Sequence, residues 1–83
     1  MSILGKQLAV MGLLVDNRYK NAPQLQEILT EHGAIIRCRT GVSEENGRNG
    51  LITLSLEAEA KMIGNLEQEL TQLDGVIVRT VYF

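Results

Sequence analysis

The chain has 83 residues, 45% hydrophobic and 22% charged, a balance that fits one globular domain and excludes a disordered tail or a second core. Eight basic residues against ten acidic ones give a formal net charge of −2, so the basic surplus of an autonomous nucleic-acid binder is missing. One Cys and one His make neither an intrachain disulfide nor a zinc site, and no apolar run approaches the ~20 residues of a membrane helix. The first residues carry no signal-peptide pattern, so the expectation is a single domain over residues 1–83, without membrane contact, in the cytoplasm.

Residues 7–15, Gln-Leu-Ala-Val-Met-Gly-Leu-Leu-Val, form a short apolar run that contains Gly12 and ends at Asp16-Asn17-Arg18. This reads as a strand buried on both faces; a short core helix is the competing reading. Asn21-Ala22-Pro23 starts a helix, with Asn21 as cap and Pro23 in the first turn, where its missing N–H has no partner to lose. Ala22, Leu25, Ile28 and Leu29 form its apolar stripe. His32-Gly33 closes it, with Gly33 expected in the left-handed conformation and His32 as a cap or packing residue. From Ala34 to Val42 the pattern alternates: Ile36, Cys38, Thr40 and Val42 share one face, Ile35, Arg37 and Arg39 the other. Residues 43–50 are polar with two glycines, a hairpin connection, and Leu51–Leu56 is the return strand with Ile52, Leu54 and Leu56 on its apolar side. Glu59–Leu73 is the second helix, its stripe formed by Met62, Ile63, Leu66, Leu70 and Leu73. Asp74-Gly75 ends it, and Val76–Phe83 is the last strand.

The order β-α-β-β-α-β has one common solution, a ferredoxin-like α+β two-layer sandwich with antiparallel sheet order 4-1-3-2 and both helices on one face. Such a sandwich leaves one sheet face uncovered, yet here both sides of two strands are apolar: Leu8, Val10 and Leu14 against Ala9, Met11, Leu13 and Val15 on the first, Ile77, Val81 and Phe83 against Val76, Val78 and Tyr82 on the last. The chain is therefore expected to meet copies of itself, as a homodimer or tetramer burying the open face or an edge strand. The competing reading is a monomer whose termini fold over that face. If Ile36 and Cys38 face the helices, Arg37 and Arg39 lie on the open side with Arg79. There they make either interfacial salt bridges or a solvated edge, or else an anion-binding patch across a subunit boundary.

Three segments carry a family resemblance: Leu-Leu-Val-Asp-Asn-Arg (13–18), the helix-to-strand passage 25–41, and Leu-Thr-Gln-Leu-Asp-Gly-Val-Ile-Val (70–78). With the element order, they resemble the small stand-alone proteins described as iron-only hydrogenase system regulators. That family is ferredoxin-like and related to ACT domains and to the C-terminal domain of the nickel-responsive regulator. The resemblance implies a non-enzymatic regulator, acting on transcription or on the hydrogenase system through a small-molecule effector or a partner protein. It places Arg39-Thr40-Gly41 at the family's basic-apolar-Gly strand end, with Val42-Ser43 where a Pro often follows. The ACT relationship implies a ligand near Asp16, Asn17 and Arg18, with Asp16 toward an amino group and Arg18 toward a carboxylate, although the Gly-rich elbow of ligand-binding ACT domains is missing. The candidate ligand-binding residues are thus Asp16, Asn17, Arg18, Arg37, Arg39 and Gly41.

The nickel relationship does not carry over. Its square-planar site needs several histidines, whereas only His32 and Cys38 stand here, so no metal and no cofactor are expected. Cys38 reads as a small core hydrophobe. His32 has no evident nucleophile to serve, and Glu44, Glu45, Glu57, Glu59, Glu67 and Glu69 read as solvated carboxylates, so no catalysis is expected. The central strands carry no aromatic for base stacking, which argues against RNA.

Overall fold

The computed structural model describes residues 5–16 and 22–83. Strand β1 (Lys6–Asp16) is the hub of the sheet. It pairs antiparallel with β3 (Asn49–Glu59) along its whole length and with β4 (Val76–Tyr82) from Ala9 to Val15. Strand β2 (Ile36–Ser43) lies outside β3, so the order is β2-β3-β1-β4, as the connection rules predict. Helices α1 (Ala22–Glu31) and α2 (Ala60–Thr71) cover one face.

Opposed residues of an antiparallel pair point to the same side, so the register sorts every strand residue onto one of two faces. Ala9, Met11 and Leu13 of β1, Leu54, Leu56 and Ala58 of β3, and Val76 of β4 are buried under the helices. The helices answer with Leu25, Ile28 and Leu29 from α1 and Ile63, Leu66 and Leu70 from α2, closing one core with Ile35 and Leu73. Each large aliphatic buried this way contributes roughly 1.5–3 kcal/mol. Two polar contacts tie α2 to its surroundings: Thr80 donates its hydroxyl to Glu67 at 2.5 Å, and His32, at the end of α1, meets Glu69 across 2.6 Å. These two glutamates are therefore tertiary ties as well as surface charges.

Four local expectations are corrected. The chain enters β2 through a 3-10 turn over Gly33–Ile35, so the strand begins at Ile36, and Ile35 is buried. Gly33 does not adopt positive φ, because the 3-10 turn carries the chain straight on; Gly75 does (φ 87°), in the turn between α2 and β4. Met62 is exposed, one position off the buried Ile63-Leu66-Leu70 stripe.

The fourth correction reverses most of a strand. Ile36 opposes Leu56, but Cys38 opposes Ser55, so Arg37 is an inserted bulge residue. A bulge exchanges the faces of everything beyond it. Cys38, expected in the core, is exposed on the open side, with Thr40 and Val42. Arg39, expected on the open side, opposes the buried Leu54 and lies on the helix side.

Candidate functional site

Two features of this architecture stand out among the described residues. One is a cleft of about 500 Å³ at the end of the sheet where β1 finishes, α1 begins and the β2–β3 hairpin turns. Val15, Leu25 and Ile52 give it an apolar lining, and Asp16, Gln26, Ser43 and Asn49 a polar one. The cleft exists because β2 runs past the cover of the helices and because Gly41, opposite Ile52, brings no side chain to that surface. Arg39, two residues along on the same side, donates from Nη2 to Oε1 of the lining residue Gln26 at 3.0 Å. The hairpin wall is braced by its own bonds. Asn49 donates from Nδ2 to Glu44 at 2.6 Å, and Gly47, at φ 72°, donates its N–H to the Glu44 carbonyl at 2.9 Å.

Of the six residues expected at a ligand site, the structure thus brings Asp16 and Gly41 to one cleft and ties Arg39 to its wall. Arg37 is not with them: it faces Glu57 across 4.0 Å on the open side, an exposed pair of little energetic weight. Asn17 and Arg18 lie outside the described residues, as does the expected cap Asn21. Gln26, Ser43 and Asn49 escaped the sequence reading because a lone Gln on a helix and polar residues at a hairpin carry no signal until folding juxtaposes them.

The second feature is the open sheet face. Leu8, Val10, Val81 and Phe83 are exposed on neighbouring positions of β1 and β4, with Phe83 72% exposed, and Ile77 is exposed on the same side of β4 beyond Arg79. Val42 and Leu51 add a second apolar pair at the hairpin end. Charge on this face is of both signs: Lys6, Asp16, Arg37, Glu57, Glu59 and Arg79. Four strands spaced ~4.8 Å apart and rising ~3.3 Å per residue give a face on the order of 550 Å² in projection. That is the scale of the ~800 Å² of accessible surface per partner in a standard protein interface.

Among the described residues, no three His, Cys, Asp or Glu side chains come together to hold a metal ion, and no helix is long and apolar enough to cross a membrane.

The βαββαβ order, the antiparallel sheet in order 4-1-3-2 and the single helical layer define a ferredoxin-like α+β domain with an uncovered sheet face and a terminal cleft. The chain belongs to the TM1266-like family, described as "Iron-only hydrogenase system regulator, putative", whose model matches residues 7–80. Among solved structures it is similar to the uncharacterized protein TM1266 from Thermotoga maritima, at 29% identity and a TM-score of 0.87, over 94% of this chain and 98% of that one. The C-terminal domain of the MgtC protein from Mycobacterium tuberculosis shares the fold at 13% identity and a TM-score of 0.71, over 100% of this chain and 94% of that one. A de novo designed protein, Foldit4, also shares it at 17% identity and a TM-score of 0.54, over 92% and 96%. The fold alone does not carry a function. No curated protein matches the chain at a significant level.

Proposed function

We propose that this chain is a non-enzymatic regulatory domain that works as a homo-oligomer in the cytoplasm. Two copies cover each other's open sheet face, and a small ligand or a partner protein seated at the terminal cleft shifts their packing. The observation that carries this reading is the apolar open face. Large apolar side chains grouped on one exposed surface mark a contact site, and they differ in that from scattered surface leucines. A second copy is the favoured occupant because the face carries charges of both signs beside its apolar side chains, which a self-complementary isologous contact can pair.

The cleft supports the ligand half of the proposal. Its apolar floor and few polar groups are the usual make-up of a small-molecule site. Asp16 stands at the strand end that borders it, and the Arg39–Gln26 pair brings a guanidinium to its wall. Regulation requires that the ligand bind one packing state better than the other.

Thermal-shift screening of amino acids, nucleotides and divalent cations, with sedimentation in parallel, tests the proposal. A ligand that raises the melting temperature, loses its effect in Arg39→Ala and changes the oligomer distribution supports it. A stable oligomer that responds to no ligand makes the domain a structural oligomerisation module instead.

A further inference from the structure

The sheet has two edges, and they are unlike. On β2 the bulge at Arg37, two arginines and Gly41 interrupt the strand, all features that discourage pairing with another chain. On β4 the run Val76–Tyr82 pairs with β1 without a register shift, holds no proline and carries one charge, Arg79.

The hydrogen-bond parity of β4 can be read from its two ends. Phe83 donates its N–H to the Leu8 carbonyl at 2.9 Å, and Asp16 donates to the Gly75 carbonyl at 2.8 Å. In an antiparallel ladder bonded and non-bonded pairs alternate, so the odd-numbered residues of β4 turn their backbone groups toward β1. The even-numbered ones turn theirs outward. The Val76 N–H is taken by the Leu73 carbonyl at 3.2 Å. Among the described residues, what remains at the edge is the C=O of Val76 and the N–H and C=O of Val78, Thr80 and Tyr82. One of these seven groups is already courted: Arg79 folds its Nη1 back onto the Val78 carbonyl at 2.8 Å.

We propose that the β4 edges of two copies pair antiparallel about a twofold axis at Thr80, joining two four-stranded sheets into one of eight. The inference rests on the homo-oligomer reading above and names a second, separate contact. With Thr80 opposite its own copy, Val78 opposes Tyr82 of the copy, and the six outward groups of Val78, Thr80 and Tyr82 in each copy are satisfied in six reciprocal bonds, while the Val76 carbonyl lies beyond the paired stretch. Neighbouring registers do worse. An axis at Arg79 sets two guanidinium groups directly opposite each other, a repulsive cross-strand pair. An axis at Val78 calls on the Val76 N–H, which is occupied. The Thr80 register also sets Ile77 beside the copy's Phe83 on the open side, a favourable β-branched–aromatic pair. Arg79 then releases the Val78 carbonyl to Tyr82 of the copy and lies beside Val81, acting as a side-chain latch on the free edge.

Cross-linking tests the register. In a Cys38→Ser background, Thr80→Cys places the two sulfurs across a bonded antiparallel pair, whose ~5.5 Å Cα separation a disulfide spans. Ile77→Cys in the same background separates them by roughly 20 Å along the strands. Rapid oxidation of T80C to a linked dimer, with none for I77C, is the expected result. Thr80→Pro removes an outward N–H without touching the β1 ladder and should cost one twofold step of assembly in sedimentation. Thr80→Val, which loses only the hydroxyl bond to Glu67, should keep that step. An oligomer that persists in T80P and does not cross-link through T80C overturns edge pairing and leaves face pairing standing. An oligomer lost in Val10→Glu but cross-linked through T80C does the reverse, and a monomeric wild type overturns both.

Discussion

Val10 and Met11 are neighbours in β1 that point to opposite faces, so the same substitution at each measures what each face is. Met11 is 0% exposed, between Leu54 on β3 and Thr80 on β4; Val10 is 37% exposed on the open side. Met11→Glu loses a buried side chain worth roughly 1.5–3 kcal/mol and forces a carboxylate to desolvate without a partner, a further cost of several kcal/mol. At roughly 0.05–0.15 kcal/mol per residue, a chain of this length has about 4–12 kcal/mol in total. M11E should therefore melt more than ~20 °C below wild type or show no cooperative transition, since about 1 kcal/mol moves a domain of this size by ~4–8 °C. V10E loses at most ~1 kcal/mol of strand preference within the single domain and should fold with wild-type circular dichroism. Its effect should appear instead in assembly, where a charge enters a surface that would otherwise be dry. The assay is thermal melting by circular dichroism at low protein concentration, with sedimentation velocity at high concentration. If M11E melts within ~5 °C of wild type, or V10E damages the dilute domain as severely as M11E does, the assignment of covered and open faces is wrong.

Two further outcomes test the local corrections. Cys38 should react with a thiol reagent in the folded, dilute protein nearly as fast as in denaturant, because the bulge turns it out of the core; protection that persists on dilution would return it to the helix side. Gly75→Ala should destabilise by about 1–2 kcal/mol because Gly75 holds positive φ, whereas Gly33→Ala, where an added methyl meets no atom within 4 Å, should be neutral or slightly stabilising. Equal losses at both glycines would contradict the 3-10 entry to β2.

The element order, the sheet order and the two-faced character of β1 and β4 were legible because they follow from periodicity and from connection rules that act on whole segments. Leu8, Val10 and Leu14 alternate with Ala9, Met11 and Leu13 in any strand, whatever it pairs with. The faces of β2 were not legible. They depend on whether Arg37 is paired or bulged, which is settled by how the 3-10 turn delivers the chain to β3, and alternation counted from Ile36 carries no trace of it. That single inserted residue moved Arg39 to the border of the cleft and Cys38 out to the open face. The cleft was half legible. Asp16 and Gly41 stand at a strand end that the family resemblance marks, whereas Gln26 and Asn49 acquire meaning only through the tertiary approach of α1 to the hairpin.

Sedimentation of the unmodified protein across ~1 to ~100 micromolar probes the proposed self-association directly, since dissociation constants in that range separate assembly from chance contact. The account predicts a species of at least twice the 9.2 kDa chain mass, shifting downward on dilution or on V10E substitution. A single 9.2 kDa species at every concentration would mean that water, and not another copy, covers Leu8, Val10, Ile77, Val81 and Phe83.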